Sequence, residues 1–250
     1  MIRAVTFDLW NTLYADQPEL EAERDRWRID VLGAATGEGP AAVRAAIEAT
    51  RVEWYRVWRS ERRTPPPPSM VAYFARVIGI ELDEDARAET LRGFQEATLV
   101  IPPRPIPGAL EVVREVAASV PIALISDTGF TPGRILRRVL AADGVLDLFV
   151  TAVFSDETGV AKPDPRAFHT ALESLGTEAA ATVHIGDLVE TDVAGAKGVG
   201  MRAVLYRARG SAPAGGPAPD AVVESLADLP GLIAAWSTPP PLKADTGQPD

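Results

Sequence analysis

The chain has 250 residues, 46% of them hydrophobic, and a formal charge of −10, with a sequence pI near 4.8. That is enough apolar material for a full core, while the acidity argues against nucleic acid as a main partner. Cysteine is absent, which excludes disulfides, thiolate metal sites and cysteine nucleophiles.

In chain order, the apolar run AVTF leads into Asp8, so residues 2–9 read as a buried strand. No apolar run approaches membrane-spanning length and Asp8 interrupts the opening stretch, so a soluble, cytoplasmic protein with no membrane partner is the expectation. From 18 to 99 the patterning is helical only, and it predicts helices over 18–34, 40–63, 69–78 and 83–99. Pro40 suits a first turn, and Asp83-Glu84-Asp85 suits a helix N-terminus. The Pro65–Pro68 run is expected to be extended, and 101–107 to be a stiff return linker. Residues 15–100 therefore read as a helical cap inserted after the first strand. The core is then 1–14 and 101–236, and a polar 237–250 tail is expected to be disordered.

Beyond the insert, strands and helices alternate. Strands are predicted at 121–126, 150–154, 182–186, 201–206 and 221–224, and helices at 108–118, 132–142, 165–175, 191–198 and 226–236. This pattern specifies an α/β fold with a doubly wound, Rossmann-like parallel sheet. Parallel strands gather their carboxyl ends at one edge, where such sheets bind ligands.

The residues that follow those strand ends carry chemistry. Asp8 is placed to act as a carboxylate nucleophile, with Asn11 and Thr12 expected to tighten the turn behind it. Gly186-Asp187 and Asp192 put two carboxylates around a loop and a helix start, an oxygen set suited to a hard divalent cation. Ser126, Asp127, Thr128 and Gly129 offer a hydroxyl and turn amides as a phosphate cradle. Lys162, in GVAKPDP, offers an ammonium to offset the crowded negative charge. Taken singly, each of these also reads as an ordinary cap, turn or surface residue.

Taken in order, the four segments resemble the haloacid dehalogenase-like hydrolase superfamily, with SDETGVAKPDPRAF and HIGDLVETDVAGAKGVGM as the closest stretches. The resemblance implies a hydrolase with a helical cap after the first motif. It makes Asp8 the nucleophile and Lys162 a catalytic partner. Mg²⁺ would be held by Asp8, Asp187 and the Trp10 backbone carbonyl, with Asp192 ligating or orienting it. Ser126, Asp127 and Thr128 would lie at the phosphate.

One position departs from the family's phosphatases, which place a second Asp two residues after the nucleophile as acid/base. Here that residue is Trp10, and the loss should cost roughly 10²–10⁴ in rate. The leading expectation is a Mg²⁺-dependent phosphatase acting on a small-molecule phosphate ester, slow on alkyl phosphates. The alternatives are a metal-independent 2-haloacid dehalogenase and a phosphate-binding protein without turnover. Asp127 is a candidate to replace the missing acid/base. In the cap, Trp54 and Trp58 are expected to pack a small core and Arg56, Arg59 and Arg63 to be solvated; the alternative reading has them shape the substrate pocket. His169 and His184 are expected to make core hydrogen bonds.

Overall fold

A computed structural model describes residues 1–15, 17–207 and 215–237. The expected disordered tail after Ser237 lies outside the described residues. Six strands form one all-parallel sheet. They are β1 (Ala4–Phe7), β2 (Ile122–Ser126), β3 (Phe149–Phe154), β4 (Thr182–Gly186), β5 (Arg202–Tyr206) and β6 (Ala221–Val223), in the order β3-β2-β1-β4-β5-β6. The chain winds outward from β1 to β3, then crosses back to pair β4 with the other side of β1. That reversal opens a crevice at the carboxyl ends of β1 and β4.

Ten helices accompany the strands among the described residues. The insert contributes α1 (Pro18–Thr36), α2 (Pro40–Glu61), α3 (Pro67–Ile78) and α4 (Glu84–Val100). The remainder are α5 (Ala109–Ala117), α6 (Gly133–Ala142), α7 (Ser155–Thr158), α8 (Pro165–Leu175), α9 (Ala194–Gly198) and α10 (Leu229–Ser237). The alternation of side chains along buried strands supplies two apolar faces. Ile122 and Leu124 join Val5, Phe7, Val183 and Ile185 under α5, α6 and α10, whereas Ala123 and Ile125 meet Phe168, Ala171 and Val193 on the other face. The insert has its own cluster around Ile29, Leu32, Val43, Ile47, Phe74 and Phe94.

Two details differ from the sequence expectation. Pro67 and Pro68 do not continue the extended run but open α3, with Pro66 as its N-cap. A proline at N1 loses only an amide that has no intrahelical acceptor, so the helix can begin two residues early. Residues 189–193 form one wide π turn ahead of α9 instead of a regular helix from 191. At α4 the Asp83 carboxylate accepts from the Ala86 amide at 2.8 Å, capping the helix as its acidic start suggested.

Candidate active site

Asp8 follows β1 directly, and its amide continues the ladder by donating to Ile185 O at 2.8 Å. The turn behind it is closed by the Leu13 and Tyr14 amides on Leu9 O, with Asn11 in the left-handed region at φ 57°. Asn tolerates that conformation better than most side chains. The Thr12 hydroxyl, expected to bond the turn, is buried without a partner among the described residues. The backbone amides already close the turn without it.

Lys162 ties three strand ends together. Its Nζ donates to Asp8 Oδ1 at 2.6 Å, to Asp192 Oδ1 at 2.6 Å and to Ile125 O at 3.0 Å, with the side chain 3% exposed. An ammonium has three donors, so all are engaged. Asp192 is equally committed. Beyond Lys162 it accepts from His184 Nε2 at 3.1 Å, from the Leu188 amide at 3.0 Å and from the Thr191 hydroxyl at 3.3 Å. His184 in turn pairs through Nδ1 with Thr6 at 2.8 Å, its register neighbour on β1. His184 thus makes the core hydrogen bonds expected of it, whereas His169 lies exposed on α8.

Carboxylate oxygens of Asp8, Asp187 and Asp192 lie within 4.8 Å of one another. Asp192 reaches this group over Gly186: a Cβ there would meet Asp192 Cγ at 2.3 Å, so any side chain would displace the carboxylate. Burial pushes Asp8 up to about 7, with Lys162 opposing and Asp192 adding to the rise. Burial also pushes Asp187 up to about 8, helped by the charges of Asp8 and Asp192. Burial works against the Asp192 anion too, but Lys162 and His184 outweigh it and hold Asp192 well below the usual carboxylate range. For Lys162 the surrounding aspartates overcome burial and raise its pKa, so it stays an ammonium. Three acidic groups therefore face one cation, and the uncompensated charge fits a hard divalent ion with oxygen ligands.

The Ser126–Gly129 turn is arranged differently from the expected cradle. Ser126 is buried, and its hydroxyl turns back to Asp127 O at 3.2 Å. Thr128 donates its amide to Ser155 Oγ at 2.8 Å and shares its hydroxyl with the same atom, so it is turned away from the cavity. Asp127 instead bridges two segments: Oδ1 accepts from the Lys162 amide at 2.9 Å and Oδ2 from Trp58 Nε1 at 2.8 Å. Burial raises the Asp127 pKa.

These groups open into a cavity of about 750 Å³, roofed by the insert and lined by Trp10, Asp127, Lys162, Asp187 and Asp192 around Asp8. The insert's core is built without Trp54 and Trp58, which are half-buried, line this cavity and stack on each other. The expectation that they pack the cap's core is thereby corrected: aliphatic side chains with Phe74 and Phe94 already fill it. Of the three arginines, Arg56 on α2 and Arg63 just beyond it are solvated and paired with Glu53 and Glu61, while Arg59 lines the cavity. Helical spacing alone could not separate these faces, because the side that turns to the cavity is set by contacts across the insert–core junction such as Trp58 to Asp127.

A six-stranded parallel sheet whose crevice gathers clustered carboxylates and a buried lysine defines a Rossmann-like α/β enzyme core. The haloacid dehalogenase-like hydrolase family model matches residues 2–200, and the chain belongs to that family. It is 32% identical over 130 residues to the pyrimidine 5'-nucleotidase YjjG of Escherichia coli, a stretch covering 52% of this chain and 56%, about half, of that protein. It is 27% identical over 226 residues to the ribulose-1,5-bisphosphate 5-phosphatase of Halopiger xanaduensis, covering 82% of this chain and 85% of that one. Among solved structures, a 2-haloacid dehalogenase from Pseudomonas syringae superposes with a TM-score of 0.73 at 27% identity, covering 95% of this chain and all (100%) of that chain.

Proposed function

We propose that this hydrolase is a Mg²⁺-dependent phosphatase of small phosphate esters, working through an aspartyl-phosphate on Asp8, with residues 15–100 acting as a cap over the core. The observation that carries the reading is the charge imbalance: Asp8, Asp187 and Asp192 cluster within 4.8 Å with one ammonium among them. Asp8, Asp187 and the Trp10 carbonyl would hold the ion, which when bound neutralises charge between the carboxylates and the substrate phosphate. Asp192, its oxygens already occupied, orients Lys162 and the Leu188 loop. Asp8 attacks phosphorus, the ester oxygen departs, and water then opens the Asp8–phosphorus bond. Lys162 keeps the Asp8 oxygen in place and offers positive charge to the transferring group; Ser126 and Asp127 shape the adjoining turn. Phosphatase-named relatives of the family support the same assignment.

A second reading, a metal-independent 2-haloacid dehalogenase, is favoured by Trp10 and by the structural likeness to the Pseudomonas syringae dehalogenase. Unscreened acidic groups would repel a haloacid's own carboxylate, which weighs against it. The test is phosphate release from p-nitrophenyl phosphate with Mg²⁺ or EDTA, beside chloride release from 2-chloropropionate. Phosphate release is expected only with metal, and Asp8→Asn should lower it at least about 10³-fold. Chloride release undiminished in EDTA would select the dehalogenase instead.

A further inference from the structure

The C-terminal turns of α2 present an aromatic and cationic wall to the catalytic cavity. Trp54 and Trp58 stack with ring centroids 5.7 Å apart and planes 14° from parallel, and Tyr55 meets Trp54 edge-on at 5.0 Å. Tyr55 is 46% exposed. These rings are spare, since the insert's core closes without them. Trp54 Nε1 is buried with no partner among the described residues. On the same wall, Arg59 and Arg62 form no ion pair among the described residues, while Arg56 and Arg63, facing outward, are both paired with carboxylates. The segment is held at the site: Trp58 donates to Asp127, and Arg62 O accepts from the Ala161 amide at 3.2 Å, next to Lys162.

We infer that this wall recognises an aromatic leaving group, making the substrate an aryl phosphate whose ring lies against Trp54 and Trp58 with Arg59 and Arg62 beside it. The inference rests on the phosphatase reading and goes further by naming the leaving group. It also accounts for Trp10. A phenol has a pKa of about 10, so its oxygen leaves without a general acid far more readily than an alkoxide. Asp8 forms a bond to phosphorus, the phosphorus–oxygen bond to the ring breaks, and its electron pair stays on the phenolate. The phenolate takes its proton from bulk water, and a second water later hydrolyses the Asp8–phosphorus bond to release inorganic phosphate. Unpaired guanidinium groups at the wall offset the negative charge that develops on the departing ring.

The test compares binding and turnover in the full chain with Mg²⁺. Phenylphosphonate, which cannot be hydrolysed, should bind about tenfold more tightly than methylphosphonate, as expected for ring contacts of this kind. Trp54→Leu should erase that preference, and Arg59→Gln should lower the kcat/KM ratio of phenyl phosphate to acetyl phosphate about tenfold. Trp58→Phe, which keeps a ring, should retain most of the phosphonate preference and guards against a folding defect in Trp54→Leu. Equal affinity for the two phosphonates, or equal losses on phenyl and acetyl phosphate, would overturn the wall. Tight phenylphosphonate binding with no ester hydrolysed at all would leave ring recognition standing and defeat the phosphatase reading.

Discussion

Asp8, Asp187 and Asp192 are neighbours with opposite proton affinities, and the cause is how many donors each one holds. Asp192 accepts from Lys162, His184, a backbone amide and a hydroxyl, so its anion is favoured despite burial. For Asp8, burial and the charge of Asp192 outweigh its bond from Lys162, and for Asp187 burial is joined by the charges of Asp8 and Asp192, so the two rise to about 7 and about 8. A carboxylate whose folded pKa exceeds its unfolded value binds protons more tightly when folded, so it loses stability as pH rises between the two. For this pair the interval runs from about 4 in the unfolded chain to the raised values. Asp192 has the opposite sign and acts only below the ordinary carboxylate range. The EDTA-treated protein should therefore melt several degrees lower at pH 8 than at pH 5. Mg²⁺ should recover the lost stability at pH 8 and do little at pH 5, where protons occupy the same oxygens. Differential scanning fluorimetry across that range checks it, and a profile flat with pH and indifferent to Mg²⁺ would contradict the cluster's charge imbalance.

At the scale of elements, the strands and their order of use were legible because parallel strands buried on both faces read as unbroken apolar runs, each ended by a polar residue. AVTF, IALI and VHI each become a strand in the six-stranded sheet. Cross-chain contacts were not legible in this way. Nothing near Thr128 in sequence announces that Ser155, 27 positions on, takes its amide, or that Thr64 of the insert joins the same hydroxyl cluster. The wide turn at 189–193 was equally hidden, since its width follows from Asp192 folding back over Gly186 to meet the Leu188 amide. That packing yields a sharp expectation. Gly186→Ala places a methyl group on the Asp192 carboxylate and should destabilise the fold by about 1–3 kcal/mol. It should also weaken the Mg²⁺-induced rise in Tm, whereas Gly198→Ala, with open space around it, should leave that rise intact. Equal responses from the two variants would show that Asp192 tolerates displacement.

Considered whole, the cavity has an acidic floor borne by the sheet and a roof borne by the insert, which on the proposed reading divide chemistry from recognition. Asp8, Asp127, Lys162, Asp187 and Asp192 all follow strands of the sheet, whereas Arg51, Trp54, Trp58 and Arg59 reach the same cavity from the insert. Among the described residues, the two sheet-facing apolar clusters draw on no residue of the insert except the partly buried Leu99, and from outside it the insert's cluster takes only Phe130. Chemistry and recognition should therefore be separable. Replacing residues 15–100 with a short Gly/Ser linker should leave a cooperatively folding core that Mg²⁺ still stabilises, because the carboxylates and Lys162 remain on their strands. The same truncation should lower kcat/KM for phenyl phosphate at least about 10²-fold, since positioning and water exclusion depend on the lost roof. It should do so mainly through weaker discrimination between phenyl and acetyl phosphate. Chemical denaturation followed by a two-substrate assay tests both halves, and a core unable to fold alone would mean that the insert supports the sheet as well as the substrate.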